Sequence, residues 1–313
     1  MSKTKSLVTG GAGFIGSHLV DSLLKENHEV LVVDNLTTGK KDNLDDLDSL
    51  VFIEKEIGSE EALSEIKKFN PDYCFHLAAQ SSVTVSVDNP ILDEEYNITQ
   101  PLKLIDAIKN TNCSRFLFSS SGGTIYGNPK NTPTKEDDFG SEPASPYGSS
   151  KKRLNRLIEE SFQGREIKYS ILNFANVYGP RQDPHGEAGV ISIFTRKMID
   201  GENPTVYGTG KQTRDFVYVG DVVSAMHKCL SSEENHNLNI GSGVETSVLE
   251  LVSLIEEAVS YKCEINYKEA REGELLRSVL DSSLAKETIG WYSETFISEG
   301  ISEVISWIKN QRK

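Results

Sequence analysis

A short apolar run, Ser6-Leu7-Val8-Thr9, passes directly into Gly10-Gly11-Ala12-Gly13-Phe14-Ile15-Gly16-Ser17-His18-Leu19-Val20, and a second run, Glu29 to Val33, closes on an acid, Asp34. No other stretch constrains the fold as tightly. Glycines at 10, 13 and 16 let the backbone turn sharply and approach a pyrophosphate, whose charge then rests on the N-terminus of the following helix. The spacing is G-x-x-G-x-x-G rather than the classical G-x-G-x-x-G. Asp34, 18 residues beyond Gly16, is placed to accept from adenosine ribose hydroxyls and to repel a 2′-phosphate, which favours NAD over NADP.

Further strand and helix signals alternate along the chain. Tyr73 to Gln80 reads as a strand ending in small residues, Pro90 opens a helix that contains Asn97 and runs to Asn110, and Arg115 to Ser121 reads as the next strand. Its end carries Ser119, Ser120 and Ser121 before Gly122-Gly123-Thr124-Ile125-Tyr126-Gly127. Ligands of parallel α/β sheets bind at the carboxyl ends of strands, so these hydroxyls are expected to face a site. Tyr147 and Lys151 stand four apart at the start of a helix whose apolar residues 154, 157, 158 and 162 share one face. The pair therefore lies on one side of that helix. An ammonium near a phenol favours the phenolate, so a group that ordinarily titrates near pH ~10 becomes a candidate base.

Composition narrows the class. The net charge of −14 argues against a nucleic-acid or anionic-membrane partner, and no apolar run is long enough to span a bilayer. The N-terminal residues carry no signal-peptide pattern, so a cytoplasmic location is expected. The four cysteines, at 74, 113, 229 and 263, form no Cys-x-x-Cys pair, and the six histidines are scattered, so no metal site is expected.

Taken together, Thr9 to Gly16, Asp34-Asn35-Leu36-Thr37-Thr38-Gly39, the Ser121 cluster and the Tyr147/Lys151 pair resemble the extended short-chain dehydrogenase/reductase superfamily. Within it, Asn176 to Val190 and Gln212 to Val219 are similar to the UDP-glucose 4-epimerases. The resemblance implies a Rossmann-type doubly wound parallel sheet with a smaller, interleaved C-terminal domain. It places the NAD-binding domain at 1–176 plus roughly 215–242 and the UDP-sugar-binding domain at 177–214 plus 243–313. It also implies an isomerase that inverts C4 of a UDP-hexose through a transient 4-keto sugar, with NAD reduced and reoxidised in each cycle. Tyr147 is then the base, Ser121 assists at the reacting oxygen, and Lys151 holds the nicotinamide ribose and lowers the tyrosine pKa.

The same resemblance carries over the remaining roles. Gly10, Gly13, Phe14, Ile15, Gly16, Asp34, Asn35, Leu36, Thr38 and Gly39 fall to NAD. So do Glu56, Ile57, Leu77, Ala78, Ala79, Gln80, Asn97 and Ser119, with Tyr147 and Lys151. Asn176, Gly189, Val190, Thr205, Val206, Tyr207, Arg214, Arg271, Glu274 and Ser278 fall to the UDP-sugar, with Ser121 and Tyr147. Arg214 and Arg271 beside Gly-rich turns suit a diphosphate in an otherwise acidic chain. A homodimer paired through helices near 90–109 and 148–162 is implied, although apolar residues at 154, 157, 158 and 162 suit core packing equally.

Several positions depart from the family pattern. The serine run has one extra residue, which leaves the assisting hydroxyl between Ser121 and Thr124; Ser121 is the choice. Asn173 stands where an arginine is common, Gln100-Pro101 replaces a glycine-threonine, and Glu56 replaces an Asp. A 4,6-dehydratase or a UDP-glucuronate decarboxylase needs an acid where this chain has Gly122-Gly123. Ser278 aligns with a wall position where an aromatic excludes an acetamido group, so UDP-N-acetylglucosamine 4-epimerisation is the nearest rival. A non-catalytic NAD-binding regulator is the alternative from another class, and it has no need of Ser121, Tyr147 and Lys151 together.

Overall fold

The structure is a computed structural model that describes residues 3–45, 47–184, 189–270 and 275–311. The chain divides into two compact units, one comprising Met1–Ile125, Pro143–Asn173 and Met226–Leu238, the other Tyr126–Glu142, Phe174–Ala225 and Asn239–Lys313.

In chain order the first unit opens with β1 (Lys5–Thr9), α1 (Phe14–Lys25), β2 (Glu29–Asp34), β3 (Leu50–Glu54), α2 (Glu60–Phe69) and β4 (Tyr73–His76). It continues with α3 (Val83–Asp88), α4 (Pro90–Glu94), a π-helical segment (Glu95–Thr99), α5 (Gln100–Ile108), β5 (Arg115–Ser121), α6 (Pro146–Phe162) and β6 (Lys168–Phe174). The remaining elements are β7 (Asn176–Tyr178), α7 (Val190–Ile199), β8 (Thr205–Tyr207), β9 (Thr213–Tyr218), α8 (Val219–Leu230), β10 (His236–Ile240) and β11 (Glu245–Ser247). They end with α9 (Val248–Val259), β12 (Asn266–Lys268), β13 (Arg277–Ser278), α10 (Ser283–Ile289) and α11 (Ile297–Asn310).

The main sheet has seven strands in the order β10-β6-β5-β4-β1-β2-β3. The pairs β1–β2, β1–β4, β2–β3 and β4–β5 are parallel. This is the doubly wound order, with the change of direction at β1 and β4, where such sheets open a crevice. One core cluster joins Leu7, Leu31, Phe116 and Ile171 of the strands to Ile66 of α2, Leu104 and Ile108 of α5 and Leu154, Ile158 and Phe162 of α6. The apolar face of α6 is thus core packing. Ser145 caps that helix by accepting from Gly148 N at 3.2 Å, with Pro146 at the first helical position.

The helix expected over 90–110 is interrupted. Pro101 has no N–H to give the carbonyl four residues back, that of Asn97, and the ladder widens into the π segment at that point.

The second unit has a four-stranded sheet, β11-β9-β13 with β7 also on β9, and a two-stranded sheet of β8 and β12. Its core gathers Phe194 and Met198 of α7, Leu251 and Ile255 of α9 and Ile301, Val304 and Ile308 of α11. Ser247 and Glu250 form a capping box at the start of α9.

The division differs from the expected boundaries most at 126–142 and 215–225. Residues 126–142 belong to the second unit, where Tyr126 Oη donates to Asn239 Oδ1 at 2.6 Å and Thr134 N to Val279 O at 2.9 Å. Residues 215–225 belong there too, because β9 is the strand on which that unit's larger sheet is assembled. Among the described residues no helix is long and apolar enough to cross a membrane.

Candidate active site

The turn after β1 is closed to any side chain. Gly10 has φ +71°, and a Cβ there would lie 2.7 Å from Ala78 N; a Cβ on Gly16 would lie 2.1 Å from Gly10 O. Gly13 N donates to Gly10 O at 3.1 Å, which brings the backbone donors of the turn to the first turn of α1 beside Phe14 and Ile15. Such a cradle fits a pyrophosphate.

Asp34, at the end of β2, is buried. Its Oδ2 accepts from Ala12 N at 3.0 Å and its Oδ1 from Leu36 N at 2.9 Å. These bonds aim the carboxylate while leaving acceptor sites for ribose hydroxyls. Burial pushes its pKa up against those two backbone donors. Gly39 returns close to it, for a Cβ at Gly39 would stand 3.0 Å from both carboxylate oxygens.

Glu56, which departs from the family pattern, is held from three directions. Asn35 Nδ2 donates to Oε1 at 3.1 Å, Tyr96 Oη to Oε1 at 2.8 Å and Gln100 Nε2 to Oε2 at 3.2 Å. Ile57 beside it is buried in the core. At the end of β4, Leu77 N donates to Thr9 O at 3.1 Å and Ala78 N to Thr9 Oγ1 at 3.4 Å. Asn97 Nδ2 donates to Gln80 O at 2.9 Å, while its buried Oδ1 has no partner among the described residues. An orphaned acceptor beside a glycine cradle and a buried ribose-type acid is the donor set of a dinucleotide site, and the residues present fit one.

Ser121, Tyr147 and Lys151 come together over the end of β5. Ser121 acts to lower the pKa of the Tyr147 phenol, whereas Thr124 Oγ1 donates to Ser121 O at 3.3 Å. Lys151 is 2% exposed, donates to Ser119 O at 2.9 Å, and lies 4.6 Å from the Phe118 ring centroid and 5.9 Å from that of Tyr147.

In the ligand-free chain burial dominates both groups. Burial pushes the Tyr147 phenol up to about 12, with Ser121 pulling it down and Asp93 adding to the rise. Burial also brings Lys151 down to about 7, opposed by Asp93. The amine is driven toward its neutral form.

In the second unit β13 lies parallel to β9 with Ser278 opposite Arg214. Arg214 Nη1 donates to Thr213 O at 2.8 Å and to Leu275 O at 2.9 Å, which fixes the guanidinium. Asn176 Nδ2 donates to Asp215 O at 3.1 Å. Gly189 has φ +104° and leads into α7 at Val190. Thr205 and Tyr207 flank Val206 on β8, and the Val206 side chain lies in the core. Arg271 and Glu274 lie outside the described residues.

Three residues of this site escape a reading of the sequence alone: Asp93, Ser150 and Tyr96. Asp93 is fully buried and accepts from Asn97 Nδ2 at 2.8 Å, one helical turn away, a spacing that was the available signal.

A sheet in this order, with a glycine cradle, a ribose-type acid and a Ser/Tyr/Lys set at its carboxyl ends, defines a dinucleotide-binding protein of the extended short-chain dehydrogenase/reductase class. The comparisons narrow this. The chain belongs to the NAD dependent epimerase/dehydratase family, whose profile matches residues 6–241. It is 38% identical over 311 residues to a UDP-glucose 4-epimerase of Mycolicibacterium smegmatis, covering 98% of this chain and 99% of the relative. The crystal structure of the Thermotoga maritima UDP-glucose 4-epimerase with UDP-glucose superposes with a TM-score of 0.95 at 42% identity, over 99% of this chain and 100% of that one. A UDP-N-acetylglucosamine 4-epimerase from Methanobrevibacter ruminantium, in complex with UDP-N-acetylmuramic acid, gives 0.93 at 33% identity, over 99% and 100%.

Proposed function

We propose that this chain is an NAD-dependent UDP-hexose 4-epimerase acting on UDP-glucose and UDP-galactose, with the N-acetylhexosamine pair also accepted. The observation that carries the reading is a buried Lys151 that donates to Ser119 O at the end of β5 and lies 5.9 Å from the ring centroid of Tyr147, one helical turn before it. NAD, when bound, supplies the acceptor that takes the C4 hydride and returns it.

The chain's own residues manage the proton and the charge. Tyr147 Oη takes the proton of the sugar 4-hydroxyl and later gives it back, and Ser121 holds the same oxygen. With Tyr147 at about 12 and Lys151 at about 7, the resting tyrosine at neutral pH is a phenol and the lysine is divided about equally between amine and ammonium. Moving the phenol proton to the amine makes phenolate and ammonium without changing the net charge; at these pKa values the transfer is uphill, so the phenolate is the minor form that acts as base. The glycine cradle and Asp34 hold the dinucleotide, with Glu56, Gln80, Asn97 and Ser119 along it. Arg214, with Arg271, takes the diphosphate, and Asn176, Gly189, Val190, Tyr207 and Glu274 take the rest of the UDP-sugar. Ser278, opposite Arg214 in the sheet, is small enough to leave room for an acetamido group at C2.

Two copies are proposed to pair through α4 and its neighbours, where Ile91 is 82% and Val87 60% exposed. Light scattering on the purified chain reads this directly, at one or two times 34.7 kDa.

The deciding experiment adds UDP-galactose to the purified protein without cofactor. UDP-glucose appearing beside protein-bound NAD supports the reading. Accumulation of NADH or of a deoxy-keto sugar overturns it in favour of a dehydrogenase or dehydratase, and an inert protein that holds NAD favours the regulator.

A further inference from the structure

Asp93, the penultimate residue of α4, has no exposed surface. Its oxygens take three hydrogen bonds, all from uncharged groups: Gln80 Nε2 at 3.0 Å and Asn97 Nδ2 at 2.8 Å on Oδ1, and Ser150 Oγ at 2.6 Å on Oδ2. A carboxylate buried with neutral partners alone is costly, and a cation nearby is what makes it tolerable. The residue after Ser150 is Lys151, equally buried, whose ammonium donates to a carbonyl, Ser119 O. Neither group has an ion pair among the described residues, so each is the other's uncompensated neighbour.

We propose that Asp93 is a positioning residue whose carboxylate is the fixed counter-charge of Lys151, and whose three hydrogen bonds lock Gln80, Asn97 and Ser150 around that charge. Its catalytic consequence rests on the epimerase reading; its electrostatic consequence does not. The other groups facing Lys151 do not replace it. Tyr147 on α6 is pushed toward its neutral phenol by burial. His76 on β4, whose ring stacks on Phe118 at 5.6 Å between centroids, is pushed down to about 3 by burial and by Lys151 itself. Glu94 and Arg153, on the same two helices, pair with each other at 2.7 Å on the surface. Asp93 is the influence that raises Lys151 against burial.

The test separates charge from hydrogen bonding. In Asp93→Asn the new amide nitrogen can face Ser150 Oγ, which is able to accept, while the remaining oxygen keeps Gln80 and Asn97. Asp93→Ser, which leaves space for a water, is the second neutral variant. Each is checked for folding by thermal melting, and the Lys151 midpoint is read by NMR on lysine-labelled, ligand-free protein, the signal being assigned by its loss in Lys151→Met. The expected result is a midpoint lower by about one unit. Kinetically, kcat relative to the parent should fall about fivefold at pH 7 and recover toward pH 5.5, where the amine is charged in both. An unchanged midpoint in a folded neutral variant overturns the proposal, as does a kcat loss equal at every pH. A shifted midpoint in a protein that epimerises nothing leaves the counter-charge standing and removes the epimerase reading.

Discussion

Gln100 Nε2 donates to Glu56 Oε2 at 3.2 Å, so two positions at which this chain departs from the pattern of its relatives are partners of each other. The longer acid at 56 reaches further, and the amide at 100 meets it. Tyr96 and Asn35 occupy its other oxygen. Gln100→Ala should therefore free one arm of Glu56 and weaken NAD by about tenfold, the worth of one hydrogen bond to a charged group. Titration of NAD into stripped protein measures this, and an unchanged affinity would show that Glu56 is set by Tyr96 and Asn35 alone.

Tyr147→Phe keeps the ring beside Lys151 and removes the phenol oxygen. Turnover should fall by about 10²–10⁴-fold with NAD retention intact. Product analysis with UDP-galactose, paired with the absorbance of bound cofactor, separates the two effects; surviving turnover would place the base elsewhere.

The amine of Lys151 also leaves a mark on stability. Its folded pKa, about 7, lies below the ordinary lysine value of 10.5. Between those limits the unfolded chain binds the extra proton, so this group makes the folded protein more stable as pH rises and less stable as pH falls toward 7. The slope is up to about 1.4 kcal/mol per pH unit. Tyr147, raised to about 12, acts oppositely above pH 10, where the folded chain holds the proton longer. Ligand-free melting curves of the parent and of Lys151→Met should diverge from pH 7 to pH 10. Parallel curves across that range would mean the amine is charged in the folded chain.

Gly16 and Gly123 make a contrasting pair. A methyl on Gly16 collides with Gly10 O at 2.1 Å, and one on Gly123 meets nothing within 4 Å. Gly16→Ala should abolish NAD retention. Gly123→Ala should keep activity and add about 0.4–1 kcal/mol of stability, by restricting the unfolded chain. Loss of activity in Gly123→Ala would mean that the loop after β5 must flex.

Ser278→Tyr should remove turnover of UDP-N-acetylgalactosamine and spare that of UDP-galactose. Chromatography of both products from one preparation decides it. If the parent turns over neither N-acetylhexosamine, the room beside Arg214 is not used for an acetamido group.

What was legible in the chain follows from how local each signal is. The strand, glycine turn and acid from Ser6 to Asp34 contain their own reasons, as does the capping box of Ser247 and Glu250. The attachment of 126–142 to the second unit does not, because it depends on Thr134 meeting Val279 and Asn239 meeting Tyr126, more than a hundred residues apart in sequence. Asn173, where an arginine is usual, reads as a loss until the structure shows it inside an amide chain from Asn155 through Asn237 to Glu159. Asp93 reads as one more surface acid on a polar helix, and only its packing against α6 reveals that it is buried.

The π segment has a meaning for how this chain can change. Consecutive residues within it serve opposite ends of the site: Tyr96 meets Glu56, and Asn97 meets Asp93 and Gln80. Removing one residue would restore a regular helix, and it would also turn everything beyond by about 100°, the angle per residue of that helix. Such a deletion could keep the register of Asp93 with α6 or that of Gln100 with Glu56, but not both. The extra residue is a splice between two sites that would otherwise compete for one helix, and a lineage that has acquired it cannot shed it in a single step.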